Sequence, residues 1–324
     1  MNAPRIFCNS LLSPELFETL RAGVSPGELV LPANPGTSVL AVPQKDPAFE
    51  NIDIAFGQPD LESIYECDSL RWIHVSSAGF TRYDTPEFRQ YATVKGLVVT
   101  NSSTVYAEAC AQQTLAFIMA HERQLPKSLT IRAASGTPAW NGLRYACGLL
   151  QNQTVLILGY GAIAARLVEM LRPFNLRVIA MRRQPKGDEG VEMITPTDLP
   201  QYLGLADHVV NILPENHESL GFFNTERFGL MKPGAAFHNI GRGTTVDQPA
   251  LYDALKSRHL SAAWLDVTNP EPLPDDHPLW TLDNCYITPH IAGGYATESN
   301  ALVAHFLDNY RRFVDGTPLR DQVI

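Results

Sequence analysis

Cysteine is scarce in this 324-residue chain, and the five present, Cys8, Cys67, Cys110, Cys147 and Cys285, are scattered. Their number is odd and no pair has metal-ligand spacing, which argues against a disulfide framework or a cysteine-built metal site and fits reduced thiols. Long apolar runs are missing as well. Nothing reaches the roughly 18 uninterrupted apolar residues that a membrane helix needs, so no membrane partner is expected. Positive charge is in deficit, 25 Lys and Arg against 34 Asp and Glu, for a formal net charge of −9. That balance argues against nucleic acid as a partner. The opening Met1-Asn2-Ala3-Pro4-Arg5 has neither the basic nor the apolar block of a secretion signal, so a cytoplasmic protein is expected. The glycosylation-like triplets Asn101-Ser102-Ser103 and Asn152-Gln153-Thr154 are discounted on that account. No internal repeat or low-complexity segment stands out.

What is present is the composition of an ordinary globular protein, 45% hydrophobic and 18% charged. The length suggests two domains. The most informative stretch runs from Thr154 to Arg183. It opens with the short apolar run Val155-Leu156-Ile157-Leu158, which reads as a buried parallel strand. Gly159-Tyr160-Gly161-Ala162-Ile163-Ala164 follows, then an amphipathic run to Leu171 and a second apolar strand, Arg177 to Met181. Strand, glycine turn, helix and strand in about 30 residues make a dinucleotide-binding unit. Gly159 allows a tight turn, Gly161 lets backbone approach a pyrophosphate, and the small Ala164 lets helix and strand pack closely. The N–H groups of the first helical turn, at Ala162 and Ile163, face the phosphate.

Along the rest of the chain, strand and helix signals alternate. Strands are expected at Arg5 to Asn9, near Leu29, and at Ile52 to Phe56, Trp72 to Val75 and Leu97 to Thr100. A helix starts at Ser13-Pro14, with serine as cap and proline at the first position. A polar break at Asn101 to Thr104 precedes an alanine-rich helix from Val105 to Glu122, and a loop-rich segment through Pro126, Gly136, Pro138 and Gly142 follows. Later strands are expected at His208 to Leu213, Ala235 to Ile240, Ala262 to Leu265 and Cys285 to Thr288, and a last helix from Thr297 to Val314. The pattern is α/β, with doubly wound parallel sheets.

Three of the later strands end in groups that a plain fold does not require: Arg242 between Gly241 and Gly243, Asp266 with Glu271 in the loop beyond, and His290 after Thr288-Pro289. Ligands bind outside the carboxyl ends of parallel strands, so these groups share an edge with the glycine turn. Moving a hydride to a carbonyl carbon calls for a proton at the oxygen, and histidine is the side chain most readily tuned to supply it. A neighbouring carboxylate favours the imidazolium, and arginine offers a charged fork to a carboxylate or developing alkoxide. Taken singly, each group is more simply a solvated or structural residue; their joint placement after successive strands favours chemistry. The turn Ser76-Ser77-Ala78-Gly79-Phe80 is open to two readings, a plain loop or a nest of N–H groups for an anion, and spacing alone favours the loop.

These segments resemble the D-isomer-specific 2-hydroxyacid dehydrogenases, particularly the glyoxylate and hydroxypyruvate reductases. The resemblance is carried by Gly241-Arg242-Gly243-Thr244-Thr245-Val246-Asp247, by Leu265-Asp266-Val267-Thr268-Asn269-Pro270-Glu271-Pro272-Leu273-Pro274 and by Thr288-Pro289-His290. It implies that Arg242 binds and polarises a 2-oxo acid, that His290 is the acid/base and that Glu271 is its partner. It implies a nucleotide domain, residues 102–293, inserted into a substrate domain of residues 1–101 and 294–324, with a cleft and two hinges between. It further implies that the backbone at Ser77, Ala78 and Gly79 holds the substrate carboxylate, that Asp266 meets the nicotinamide amide, and that Pro214 and Ile240 belong to the cofactor pocket. Trp140 would sit in a homodimer arm. Glutamate at 271 departs from the formate dehydrogenase branch, which carries glutamine there. Gln112 stands where many relatives have glutamate.

Arg182 and Arg183 occupy the place where an NAD domain usually carries Asp or Glu for the ribose 2′-hydroxyl. They are either solvated charges at a strand end or the receptor of a 2′-phosphate. The second reading makes NADP(H) the preferred cofactor, with NAD(H) the weaker one. The functional expectation is an NADPH-preferring reductase of small 2-oxo acids to D-2-hydroxy acids. The alternative is a nucleotide-sensing binding protein like the C-terminal-binding corepressors, which share this fold and these polar groups.

Overall fold

The computed structural model describes residues 3–34 and 43–324; residues 1–2, which begin the N-terminal stretch read above, and 35–42 lie outside the described residues. The chain divides into two compact units, Met1–Tyr106 with Tyr295–Ile324, and Ala107–Gly294. The family resemblance implies crossings at 101/102 and 293/294; the unit boundaries fall at 106/107 and 294/295.

The first unit contains β1 (Arg5–Cys8), α1 (Pro14–Gly23), β2 (Glu28–Val30), β3 (Ile54–Gly57), α2 (Leu61–Glu66), β4 (Trp72–Val75), α3 (Pro86–Lys95) and β5 (Val98–Thr100). Its five strands are all parallel, in the order β2-β1-β3-β4-β5. Parallel strands are covered on both faces, and β3 and β4 are buried at every position. Alternation along β1 sends Phe7 into one core, with Phe49, Ile73 and Phe88, and Ile6 and Cys8 into the other. Ser13 caps α1 by accepting from the Leu16 N–H, with Pro14 at the first helical position.

The second unit begins within α4 (Ser103–Glu122) and continues through α5 (Leu125–Thr130), α6 (Pro138–Ala146), β6 (Thr154–Leu158), α7 (Ala162–Leu171), β7 (Arg177–Met181), β8 (Glu192–Ile194), α8 (Leu199–Leu203), β9 (His208–Asn211), α9 (Thr225–Leu230), β10 (Ala236–Asn239), α10 (Gln248–Lys256), β11 (Ala262–Leu265) and β12 (Cys285–Ile287). Its seven strands are parallel in the order β12-β11-β10-β9-β6-β7-β8. The direction of winding reverses between β6 and β9, which opens a crevice at their carboxyl ends. The chain then returns to the first unit as α11 (Glu298–Asp315), whose Leu302, Phe306 and Tyr310 cover the sheet there. Phe306 stacks on Phe56 and Trp72, at 4.4 and 5.3 Å between ring centres. Gly316, at φ +66°, closes the helix.

Three elements, in two segments, differ from the sequence reading. The segment read as loop contains α5 and α6. Thr137 caps α6 through its side chain, and Pro138 sits at the first turn, where its missing N–H costs nothing. Gly142 lies inside that helix with open space around it. The short strand β8 has no counterpart among the expected strands: it pairs with β7 alone and has three residues, too few to show a period.

Candidate active site

The expected site residues of the second unit stand at the carboxyl ends of its strands. Gly159 follows β6 at φ +95°, and a Cβ there would lie 2.9 Å from the Ile212 carbonyl oxygen, so the turn is confined to glycine. Gly161 differs: a Cβ there would meet nothing within 4 Å, leaving the backbone approachable. It also begins α7 without any side-chain cap, so the first-turn N–H groups at Ala162 and Ile163 keep their donor capacity. Ala164 is fully buried and packs with Val155, Ile157 and Leu167, the close helix–strand contact its size permits. Pro214 lies beyond β9, its carbonyl accepting from Ser219 Oγ at 2.6 Å. Ile240, after β10, is buried.

Arg182 and Arg183 follow β7 and differ in their surroundings. Arg182 Nη1 donates to Glu189 Oε1 at 3.1 Å, and the Glu189 side chain is only 2% exposed. Arg183 pairs with Glu218, with both side chains about three-quarters exposed. Sequence gives no signal for Glu189, because it follows Gln184-Pro185-Lys186-Gly187-Asp188, a run with the composition of a solvated turn.

The catalytic candidates converge. His290 Nδ1 donates to Glu271 Oε2 at 2.8 Å, and Glu271 Oε1 accepts from the Thr268 N–H at 2.9 Å. Burial alone would raise the Glu271 carboxyl, but the bonds from His290 and Thr268 and the Arg242 charge outweigh it, holding the group below the usual carboxylate range. Histidine at 290 has φ +52°, a left-handed conformation that is uncommon outside glycine and costs on the order of 1–3 kcal/mol. The surroundings impose it. The His290 N–H donates to the Asp266 carbonyl, and the fully buried Asp266 carboxylate accepts from Thr288 Oγ1, Ile291 N–H and Ala292 N–H at 2.6, 3.0 and 2.9 Å. Asp266 thus fixes the loop that carries the histidine.

Arg242 is held mainly through its backbone. Its carbonyl accepts from Asn239 Nδ2 and Thr245 Oγ1, and Asn211 Nδ2 bridges Asn239 and Thr245. Gly243 brings this loop against the next one so closely that a Cβ would lie 1.9 Å from the Thr268 carbonyl oxygen. Asparagines at the ends of apolar strands are the sequence signal for this network, one that the motif reading passes over. Gln112, without an account from sequence, donates to Glu108, which pairs with Arg166 of α7.

In the first unit, the turn after β4 is tied from behind. Asn101 Nδ2 donates to the Ala78 carbonyl, the Ser102 N–H to the Ser77 carbonyl, and Ser77 Oγ to the Gly79 carbonyl. Ser77, Ala78 and Gly79 are themselves half-buried. Phe80 packs onto the core of its own unit. No helix among the described residues is long and apolar enough to cross a membrane.

Comparison with known proteins follows this geometry. Residues 115–292 match the family model for the NAD binding domain of D-isomer specific 2-hydroxyacid dehydrogenases. The chain is 39% identical over 199 residues to an uncharacterized protein encoded in the proB 3′ region of Corynebacterium melassecola, covering 59% of this chain and 63% of that one. It is 31% identical over 258 residues to the glyoxylate reductase/hydroxypyruvate reductase of Homo sapiens, covering 79% of this chain and 77% of that one. Among solved structures, the TT0316 protein from Thermus thermophilus superposes with a TM-score of 0.76 at 27% identity, covering 99% of this chain and 100% of that chain. With the two parallel sheets, the inserted arrangement of the chain and these matches together, the protein belongs to the D-isomer-specific 2-hydroxyacid dehydrogenase family.

Proposed function

We propose that this protein is an NADPH-preferring reductase of small 2-oxo acids, of the glyoxylate and hydroxypyruvate type, yielding D-2-hydroxy acids. The observation that carries the reading is the His290–Glu271 pair with Arg242 beside it. The nucleotide-sensing alternative shares these polar groups, and the reductase reading is favoured over it because the human relative is named as a reductase.

The residues present fit a nicotinamide dinucleotide. Gly159, Gly161 and the first turn of α7, at Ala162, Ile163 and Ala164, would hold the pyrophosphate; Pro214, Ile240 and Asp266 would border the rest; Arg182 and Arg183 would take the 2′-phosphate. When bound, the cofactor supplies the hydride. The protein supplies the proton: Glu271 occupies Nδ1 of His290, leaving Nε2 to donate to the substrate carbonyl oxygen. Glu271 fixes the orientation of the imidazole, and Arg242 orients the 2-oxo acid and draws charge toward its carbonyl oxygen. We assign the substrate carboxylate to the N–H groups of Ser77, Ala78 and Gly79. The segment α5–α6, where Leu129 and Tyr145 are 83% and 79% exposed, is assigned to a homodimer contact carrying Trp140.

The test is NADPH consumption across a panel of 2-oxo acids, repeated with NADH. Turnover of glyoxylate or hydroxypyruvate, with kcat/KM higher for NADPH and that preference lost in Arg182→Ala, supports the reading. Silence across the panel with nucleotide still bound returns the sensor alternative.

A further inference from the structure

The loop after β7 makes an arrangement that the proposed function does not use. Glu189 lies seven residues beyond Arg182 and folds back on it. Its carboxylate accepts from the Lys186 N–H at 2.7 Å, the Gly187 N–H at 2.8 Å and Arg182 Nη1 at 3.1 Å. Its backbone carbonyl accepts from the Tyr160 hydroxyl at 2.9 Å, and Tyr160 stands between the two glycines of the phosphate turn. One residue therefore joins the arginine at the end of β7 to the glycine turn at the end of β6.

We infer that Glu189 is a positioning residue for cofactor choice, holding the Arg182 guanidinium and the loop backbone in the geometry that receives a 2′-phosphate. The inference rests on the proposed NADPH preference and extends it to a residue that makes no contact with the cofactor's phosphate itself. Three features separate this from simple neutralisation of the arginine. The contact engages one guanidinium nitrogen, at a carboxylate oxygen already shared with a backbone N–H, so most of the five N–H donors stay available to a phosphate. The Glu189 side chain is buried and anchored by its own loop, so it fixes the arginine rather than following it. An arginine side chain ordered before the ligand arrives loses less rotamer freedom on binding. Arg183, whose partner is as exposed as itself, has no such support.

The test titrates NADP⁺ and NAD⁺ separately into the wild-type protein, Glu189→Gln, Tyr160→Phe and Arg182→Ala, with dissociation constants read by calorimetry and no turnover involved. Glu189→Gln keeps the side-chain shape and removes the charge that attracts the arginine. It should weaken NADP⁺ binding about tenfold, as loss of a charge-assisted hydrogen bond does, and leave NAD⁺ within about twofold. Tyr160→Phe, which releases only the backbone end of the link, should show the same selectivity at about two- to threefold. Equal weakening of both nucleotides would reduce Glu189 to a loop-folding residue, and tighter NADP⁺ binding would make it a competitor of the phosphate; either result overturns the inference. The underlying preference is read from the other two proteins. A wild type that binds NAD⁺ more tightly removes the NADPH reading and this one with it. A wild-type NADP⁺ preference that Arg182→Ala abolishes and Glu189→Gln spares removes this one alone.

Discussion

Two glutamates stand behind the two basic side chains on which the proposed function turns. Glu271 backs His290 and Glu189 backs Arg182, and each is anchored by backbone N–H groups of its own loop: Thr268 in one case, Lys186 and Gly187 in the other. The construction is shared and the chemistry differs. Arginine keeps its charge at any working pH, so the Glu189 pair can only orient. Histidine can hand on a proton, so the Glu271 pair orients a group that can also take part in the reaction. A carboxylate anchored by its own loop is thus used once for geometry and once, in the proposed reading, for geometry with proton transfer.

The largest difference should appear on removing the two basic side chains. His290→Ala should lower kcat by at least about a hundredfold, a typical general-acid contribution, while nucleotide affinity stays within about twofold. Arg182→Ala should do the reverse, raising KM for NADPH with kcat little changed. Steady-state kinetics of both variants with one substrate check this, and near-normal turnover by His290→Ala would take it out of the acid role.

The two glutamates also differ in how far they could be read. Glu271 lies inside Leu265 to Pro274, a segment whose resemblance to a family is plain, and its partner is 19 residues away after the next strand. Glu189 lies in a polar run with no periodicity, and only the folded loop reveals the contact. Strands made mostly of apolar residues, such as Trp72–Val75, Arg177–Met181 and Ala262–Leu265, are legible to the residue because burial leaves a short apolar run, interrupted only by His74 in the first and preceded by the exposed Arg177 in the second. The helix α6 is not, because Gly136, Pro138 and Gly142 look like breakers until Thr137 is seen as the cap. Arg242 and His290 are legible as residues, but the Asn211–Asn239–Thr245 network and the Asp266 bonds that hold their loops depend on register between strands far apart in sequence.

A second contrast sets His290 against histidines that have no carboxylate-backed role. His74 is pushed down to about 3 and His121 to about 4 by burial, with a neighbouring histidine adding to each; His238, wholly buried, is also held well below the usual range. Such groups stay neutral in the fold while the unfolded chain protonates them near pH 6.5. Folding stability is therefore full above about pH 6.5 and is lost as pH falls toward the folded values, at about 1.4 kcal/mol per pH unit per group. Glu271 acts lower: its stabilising contribution is present above the ordinary carboxylate range and lost only below it. Urea midpoints should accordingly fall between pH 7 and 5 in wild type and in Glu271→Gln alike, with wild type the higher, and the gap between them should close below about pH 4.5 as the Glu271 carboxylate takes up its proton. A midpoint that does not change from pH 7 to 5 would contradict the burial assignment of these histidines.

The smallest effect belongs to Arg183. Its pair with Glu218 is 3.1 Å long, but the two side chains are 75% and 71% exposed, so water and salt screen it. Exposed pairs of this kind contribute about 0–1 kcal/mol, and Arg183→Ala should shift the thermal midpoint by no more than about 2 °C. It should still weaken NADP⁺, because a phosphate draws on every nearby positive charge, by about two- to threefold and more strongly at low ionic strength. Arg182, held by the buried Glu189, should lose far more on the same truncation and show less dependence on salt, since its contact forms in a less hydrated place. Titrations of the two alanine variants at low and physiological salt give the comparison directly. Equal losses would mean that the buried glutamate confers nothing on its arginine that the exposed one lacks.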